Sequence, residues 1–129
     1  MREPVWVLDE IIESVHSMLL AEHGGGIGIR DKALLDSALA RARQKFSYDS
    51  DVSIFDLAAA YSFGIGKNHP FVDGNKRTAF TIGTLFLEIN GFKLNATEVD
   101  ATITFENLAT DIINENELSL WFKKYCIQV

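Results

Sequence analysis

The sequence predicts an all-α fold, a compact bundle of about six helices with a short extended flap. Apolar residues recur at helical spacing along most of the chain. Ahead of the last two helical stretches, capping residues stand at the offset a helix start requires, Thr97 before Asp100 and Asn114 before Glu117. Only two short pieces, Val5–Val7 and Phe92–Leu94, read as extended, and they are expected to touch at the edge of the bundle.

Leu8, Ile11, Ile12, Val15 and Leu19 share one face of the first helix, and Asp9 and Glu10 suit its positively polarised start. Gly24-Gly25-Gly26 stops it. A second helix begins near Asp31, buries Leu34, Leu35, Ala38 and Leu39, and carries Arg41 and Arg43 near its end. Residues 44–52 break the pattern: Gln44-Lys45-Phe46-Ser47-Tyr48 alternates polar and aromatic before Asp49-Ser50-Asp51. This reads as an extended flap or loop, with an ordinary helix connection anchored by two aromatics as the even alternative. A third helix, Ser53 to Ile65, presents Ile54, Leu57, Ala58, Tyr61 and Ile65, and Ala58, Ala59 and Ala60 permit close packing. A fourth runs from Asn75 to Asn90 with Gly91 as its terminator. It buries Ala79, Ile82, Gly83, Phe86 and Leu87, and its broad apolar girth marks it as the central helix. The fifth follows the Thr97 cap, and the last holds Leu118, Trp121, Phe122 and Tyr125.

The 129 residues are 47% hydrophobic, enough for one domain spanning 1–129 to bury about two thirds of its unfolded surface. Cys126 is the only cysteine, which excludes an intrachain disulfide and a cysteine-rich zinc module and fits a reduced, cytoplasmic setting. No apolar run reaches the roughly eighteen residues of a membrane span, and Arg2, Glu3, Asp9 and Glu10 argue against a secretory signal. With 12 Lys and Arg against 18 Asp and Glu, the net charge of -6 opposes a broad nucleic-acid footprint. Neither direct nucleic-acid binding nor membrane association is expected.

The most informative stretch is His69-Pro70-Phe71-Val72-Asp73-Gly74-Asn75-Lys76-Arg77-Thr78-Ala79-Phe80, between the third and fourth helices. Polar and basic groups crowd the start of a very apolar helix, where free N–H groups and the helix dipole attract anions. Gly74 permits a sharp turn, and the backbone of Gly74, Asn75 and Lys76 suits a phosphate nest, with Lys76 and Arg77 adding charge. A neutral imidazole at His69 can take a proton from an attacking hydroxyl, and Asp73 can hold magnesium or orient the nucleophile. Phe71 should anchor the loop in the core. Each residue also has a plainer role: Asp73 or Asn75 as helix cap, Gly74 as a turn residue, His69 as a structural loop residue.

This stretch resembles the Fic/Doc family signature His-x-Phe-x-Asp/Glu-Gly/Ala-Asn-Gly/Lys-Arg, complete here from His69 to Arg77. The likeness extends to His16, Gly24-Gly25, Arg30-Asp31, Leu34-Leu35, Ser37-Ala38-Leu39 and Asn90-Gly91. Lys76 and Phe80, where AMP-transferring Fic enzymes usually have Gly and a second Arg, resemble the death-on-curing (Doc) toxin subgroup. The resemblance implies a Fic/Doc-like helical domain and a kinase toxin that moves the terminal phosphoryl group of ATP to a Ser/Thr hydroxyl of translation elongation factor Tu. A cognate antitoxin with a disordered tail would block it. The implied catalytic residues are His69, Asp73 and Lys76; Lys67, Gly74, Asn75, Lys76 and Arg77 would bind ATP, and Asp73 the Mg2+ ion. Phe46–Tyr48 falls where such proteins carry a target-docking flap. AMP transfer and an inactive antitoxin-binding module are the alternatives. Thr102 to Asn107 fits a short inhibitory pattern of some Fic proteins, but the Arg its Glu106 would meet is Phe80, so Glu106 is expected simply to face solvent. His16, His23, Arg30 and Asp31 are expected to act in packing, capping or an ion pair.

Overall fold

In the computed structural model, which describes residues 1–129, a helix rich in small residues forms the axis of the bundle. Ser53 starts this helix, α3 (Ile54–Asn68), through a reciprocal box: the Ser53 hydroxyl accepts from Asp56 N–H and the Asp56 carboxylate accepts from Ser53 N–H. Leu57–Ser62 and Gly64–Gly66 are all buried. Around α3 lie α2 (Lys32–Tyr48), α4 (Asn75–Ile89) and α6 (Glu115–Tyr125), with α1 (Asp9–His23) against α4 and α5 (Glu98–Ala109) beside α3, α4 and α6. The central helix is therefore α3 rather than the fourth. Its small side chains decide this. At Gly64 an added Cβ would sit 3.1 Å from the Ala38 carbonyl oxygen, so α2 approaches to backbone contact there. The buried face of α4 closes around Phe86, stacked with Trp6 and tilted against Tyr61.

The all-α bundle carries one small antiparallel sheet, β1 (Phe92–Leu94) with β2 (Cys126–Gln128), in the register Phe92 to Gln128 and Leu94 to Cys126. Val5–Val7 does not join it. Instead the Asn90 side chain stitches Val5 to the end of α4: its amide donates to Val5 C=O at 2.9 Å and its oxygen accepts from Val5 N–H at 2.8 Å. Gly91 terminates α4 with φ 91°, as expected. The Asn114–Glu117 box forms in full, whereas only the Thr97 half of the Thr97–Asp100 pair does. Burial pushes the Cys126 thiol up to about 11, which leaves it protonated and inert.

The extended flap expected at residues 44–52 is not there. Residues 44–48 are the last turn of α2, and only Asp49–Ser53 leaves the helix. The alternation that suggested a strand also fits a helix, because Ala42 and Phe46 are four apart and share a face. Phe46 packs edge-on against Trp6, with ring centres 5.7 Å apart, and Tyr48 is exposed. Glu115, at the start of α6, binds both Lys45 (2.9 Å) and Arg41 from the outer turns of α2, which holds that turn helical. The segment beside the signature, residues 24–30, is irregular, and within it Ile29 makes a bridge with Phe71.

Two glycines where α3 meets α4 should respond oppositely to alanine. At Gly83 of α4 a Cβ would lie 2.1 Å from the buried Ser62 hydroxyl, which donates to Ala79 C=O, and 3.2 Å from Phe122. Gly83→Ala should cost about 1–3 kcal/mol. At Gly66 the nearest atoms are at ordinary contact, 3.7 Å or more, so Gly66→Ala should stabilise by up to about 1 kcal/mol through helix propensity. Urea unfolding of both variants decides this. A second test concerns acid. Partial burial pushes the Asp56 carboxyl up, but bonds from the Ser119 hydroxyl and from Ser53, with the Lys45 charge, outweigh it and bring it below its usual 3.8. A depressed carboxylate stabilises the fold above its unfolded value and loses that contribution as pH falls through the folded one. Unfolding free energy should therefore drop below about pH 4, and less steeply in Ser119→Ala.

Candidate functional site

The signature forms a bridge from the end of α3 to the start of α4. His69 ends α3 in the left-handed region, at φ 48° and ψ 55°, with its N–H bonded to Ile65 C=O. Pro70 C=O accepts from the N–H groups of Arg30 (2.7 Å) and Asp31 (3.1 Å), and Val72 N–H donates to Gly28 C=O at 3.1 Å. Phe71 is buried in the core, as its apolar character predicts. The Asn75 carboxamide closes the loop: its oxygen accepts from Phe71 N–H and its amide donates to Phe71 C=O, both at 2.9 Å. The Asn75 side chain is thus spent on the loop and leaves only its backbone N–H to face a ligand.

His16 of α1 supports the same loop from beneath. Its ring stacks on Phe71 with centres 3.7 Å apart and planes 10° apart, and Nε2 lies 2.8 Å from Asp73 C=O. A carbonyl only accepts, so Nε2 carries the proton. The Asp73 carboxylate accepts from Gly74 N–H at 2.8 Å and from Gly26 N–H at 3.3 Å. A Cβ at Gly25 would stand 2.9 Å from Asp73 Oδ2, and one at Gly26 2.9 Å from Val72. The glycine run therefore does more than stop α1; it brings backbone against the signature loop.

Gly74, at φ 77°, is the cap of α4 and supplies no side-chain bond. The first helical bond runs from Thr78 N–H to Gly74 C=O, so the N–H groups of Asn75, Lys76 and Arg77 precede the ladder. They open on a cleft of about 350 Å³ lined by His69, Val72, Asp73, Gly74, Asn75, Lys76 and Arg77. The structure thus gathers His69, Asp73, Gly74, Asn75, Lys76 and Arg77 at one place. Arg77 is exposed and takes part in none of the salt bridges. Glu106 of α5 is exposed, as expected, and in addition pairs with Lys76. Lys67 does not join the cluster, because its ammonium pairs with Asp111 beyond α5. Phe80 turns away from the cleft and packs edge-on against Phe105, ring centres 5.2 Å apart.

This arrangement suits a phosphate: unpaired N–H groups, a helix dipole and a free guanidinium beside an imidazole. Three or more His, Cys, Asp or Glu side chains never gather as a metal site. A magnesium ion would draw on Asp73 with phosphate and water oxygens, the coordination magnesium favours. The Asp73 oxygens each accept one bond and keep further lone pairs for that purpose. The residues that sequence reading undervalued are His16, Arg30, Gly25 and Gly26. Their separation along the chain hides their convergence, and His16 looked like a packing residue.

Residues 6–87 match the model of the Fic/DOC family. The chain is 40% identical over 94 residues to Toxin Doc of Mycolicibacterium smegmatis, covering 71% of this chain and 67% of that protein. It is 29% identical over 86 residues to Protein kinase doc of Escherichia phage P1, covering 67% and 68% respectively. No helix is long and apolar enough to cross a membrane.

Asn75→Ala should strand the N–H and C=O of buried Phe71 and cost about 2–4 kcal/mol. Asn75→Asp keeps the acceptor for the N–H and should cost less. Chemical denaturation ranks the two.

Proposed function

The chain belongs to the Fic/DOC family, and on that premise we propose that it is a Doc-type toxin, a protein kinase that transfers the terminal phosphoryl group of ATP to a Ser/Thr hydroxyl. The observation that carries this reading is the start of α4. Free N–H groups of Asn75, Lys76 and Arg77 and the unpaired Arg77 guanidinium line the same cleft as His69. Phosphoryl transfer asks mainly for positioning and positive charge around the moving group, which such a helix start supplies. His69 accepts the proton of the target hydroxyl as its oxygen bonds to the terminal phosphorus; the bond to the bridging oxygen breaks, and ADP leaves. Asp73 and Lys76 assist: Asp73 steadies the Gly26 and Gly74 backbone and would hold Mg2+, which when bound would neutralise phosphate charge. Lys76 reaches phosphate once it leaves Glu106. Lys67 drops out of the proposed set because Asp111 occupies it.

Phe80 supports terminal-phosphate transfer over AMP transfer. Packed on Phe105, it brings no cation to the second turn of α4. Residues 46–48 are helical, so the target segment docks not along them but beside the signature loop, next to the irregular segment 25–29 whose Ile29 bridges Phe71. The target proposed is elongation factor Tu, and the natural inhibitor an antitoxin whose disordered tail folds on the toxin. The setting is the cytoplasm, where ATP, the factor and a reduced Cys126 coexist.

Mass spectrometry of elongation factor Tu after incubation with the protein, ATP and magnesium tests the reading. A gain of one phosphoryl group is expected, and a gain of AMP would make the enzyme a nucleotidyltransferase. His69→Ala, still folded by circular dichroism, should lose at least about 10²-fold in transfer rate. Full activity in that variant would remove His69 as the base.

A further inference from the structure

One residue outside the signature satisfies the three successive carbonyls around His69. The Arg30 guanidinium donates from Nε to His69 C=O at 2.7 Å and from Nη2 to Asn68 C=O at 2.8 Å. Its backbone N–H donates to Pro70 C=O at 2.7 Å. The turn held in this way is strained. His69 is one of only two residues other than glycine with positive φ, a region in which a Cβ crowds the backbone. Such conformations persist where neighbours over-determine them. From α3 itself come only the ordinary bond from His69 N–H to Ile65 C=O and the Asn68 amide, which donates to Leu34 C=O at 3.1 Å and does not engage the His69 carbonyl.

Arg30 is in turn fixed independently of its side chain. Ile29 on one side bridges Phe71, and Asp31 on the other caps α2 by accepting from Leu34 N–H at 3.0 Å. The guanidinium forms no salt bridge, so its charge is committed to these carbonyls at the negative end of the α3 dipole. The contact needs a fork: two N–H groups on one rigid plane reach two successive carbonyls, which an ammonium on a flexible stem cannot reproduce.

We propose that Arg30 is a positioning residue for His69, fixing the turn 68–70 so that the imidazole stays in the cleft with Asp73 and the start of α4. This rests on the reading of His69 as the base. Arg30 does not itself line the cleft; it reaches that lining only through the backbone carbonyl of His69.

Arg30→Ala and Arg30→Lys test it by two readouts. The backbone amide and Cα resonances of His69 report the turn directly, and the rate constants of transfer from ATP to elongation factor Tu report its use. Arg30 is exposed, so its removal opens no cavity, and the melting temperature should change little. In Arg30→Ala the His69 resonances should move while those of Phe86 stay. In the same variant kcat should fall about 10–100-fold with little change in KM for ATP, the signature of a misplaced base. Arg30→Lys should recover only part of this. Unmoved His69 resonances, a fall in kcat that merely follows the folded fraction, or full recovery by lysine would each overturn the proposal. If the wild-type protein transfers nothing to the factor, the kinase reading fails, and the resonances alone decide the role of Arg30.

Discussion

The site depends on the closed pair of hydrogen bonds between the Asn75 carboxamide and the backbone of Phe71. A loop between two buried helices must find partners for its own N–H and C=O groups. Here the first side chain of α4 supplies both for the residue that enters the core. That ring of bonds fixes the start of α4 relative to Phe71, and Phe71 is wedged on His16, which holds Asp73 C=O. The direction in which the free N–H groups of α4 point is therefore set by the core and not by the ligand. Preorganisation of this kind is what electrostatic catalysis needs, because dipoles already aligned cost nothing to reorganise during the reaction.

Much of this was legible along the chain, and what was not shares a cause. The limits of α4, the Gly91 terminator, the Ser53 and Asn114 helix starts and the crowding of polar groups after His69 all follow from patterns within a few residues. The end of α2 did not. Gln44 to Tyr48 suits a strand or a helix equally, and the choice was made by Glu115, on another helix. In the same way the partner of β1 is Cys126–Gln128, three residues with no strand pattern of their own. His16 and Asp73, or Arg30 and His69, meet only because α1 and the Gly24–Arg30 segment fold back across the end of the bundle. Local spacing carries no record of such meetings.

The identity of the axis shows how size competes with hydrophobicity. The fourth helix, with Phe80, Ile82, Phe86 and Leu87 spread around it, reads as central from its apolar girth. Large side chains, however, hold neighbours away. Ala58, Ala59, Ala60, Gly64 and Gly66 of α3 are all buried, and neighbouring helices come close to α3 at these small positions, so α3 is enclosed although it also carries Phe55, Tyr61 and Phe63. The buried Ser62 hydroxyl, bonded to Ala79 C=O and facing Gly83, ties α3 to α4 where both are narrowest.

The pairing of Lys76 with Glu106 bears on how the cleft responds to its ionic surroundings. A bare lysine at a helix start collects diffuse counterions, and a polyanion gains by releasing them. Lys76 instead carries a tethered counterion that cannot diffuse away. A polyanion arriving at α4 must exchange places with this carboxylate, and little bulk salt is set free at that position. Affinity at this helix start should therefore vary less steeply with ionic strength than its number of cations suggests, and Arg77 should set most of the slope.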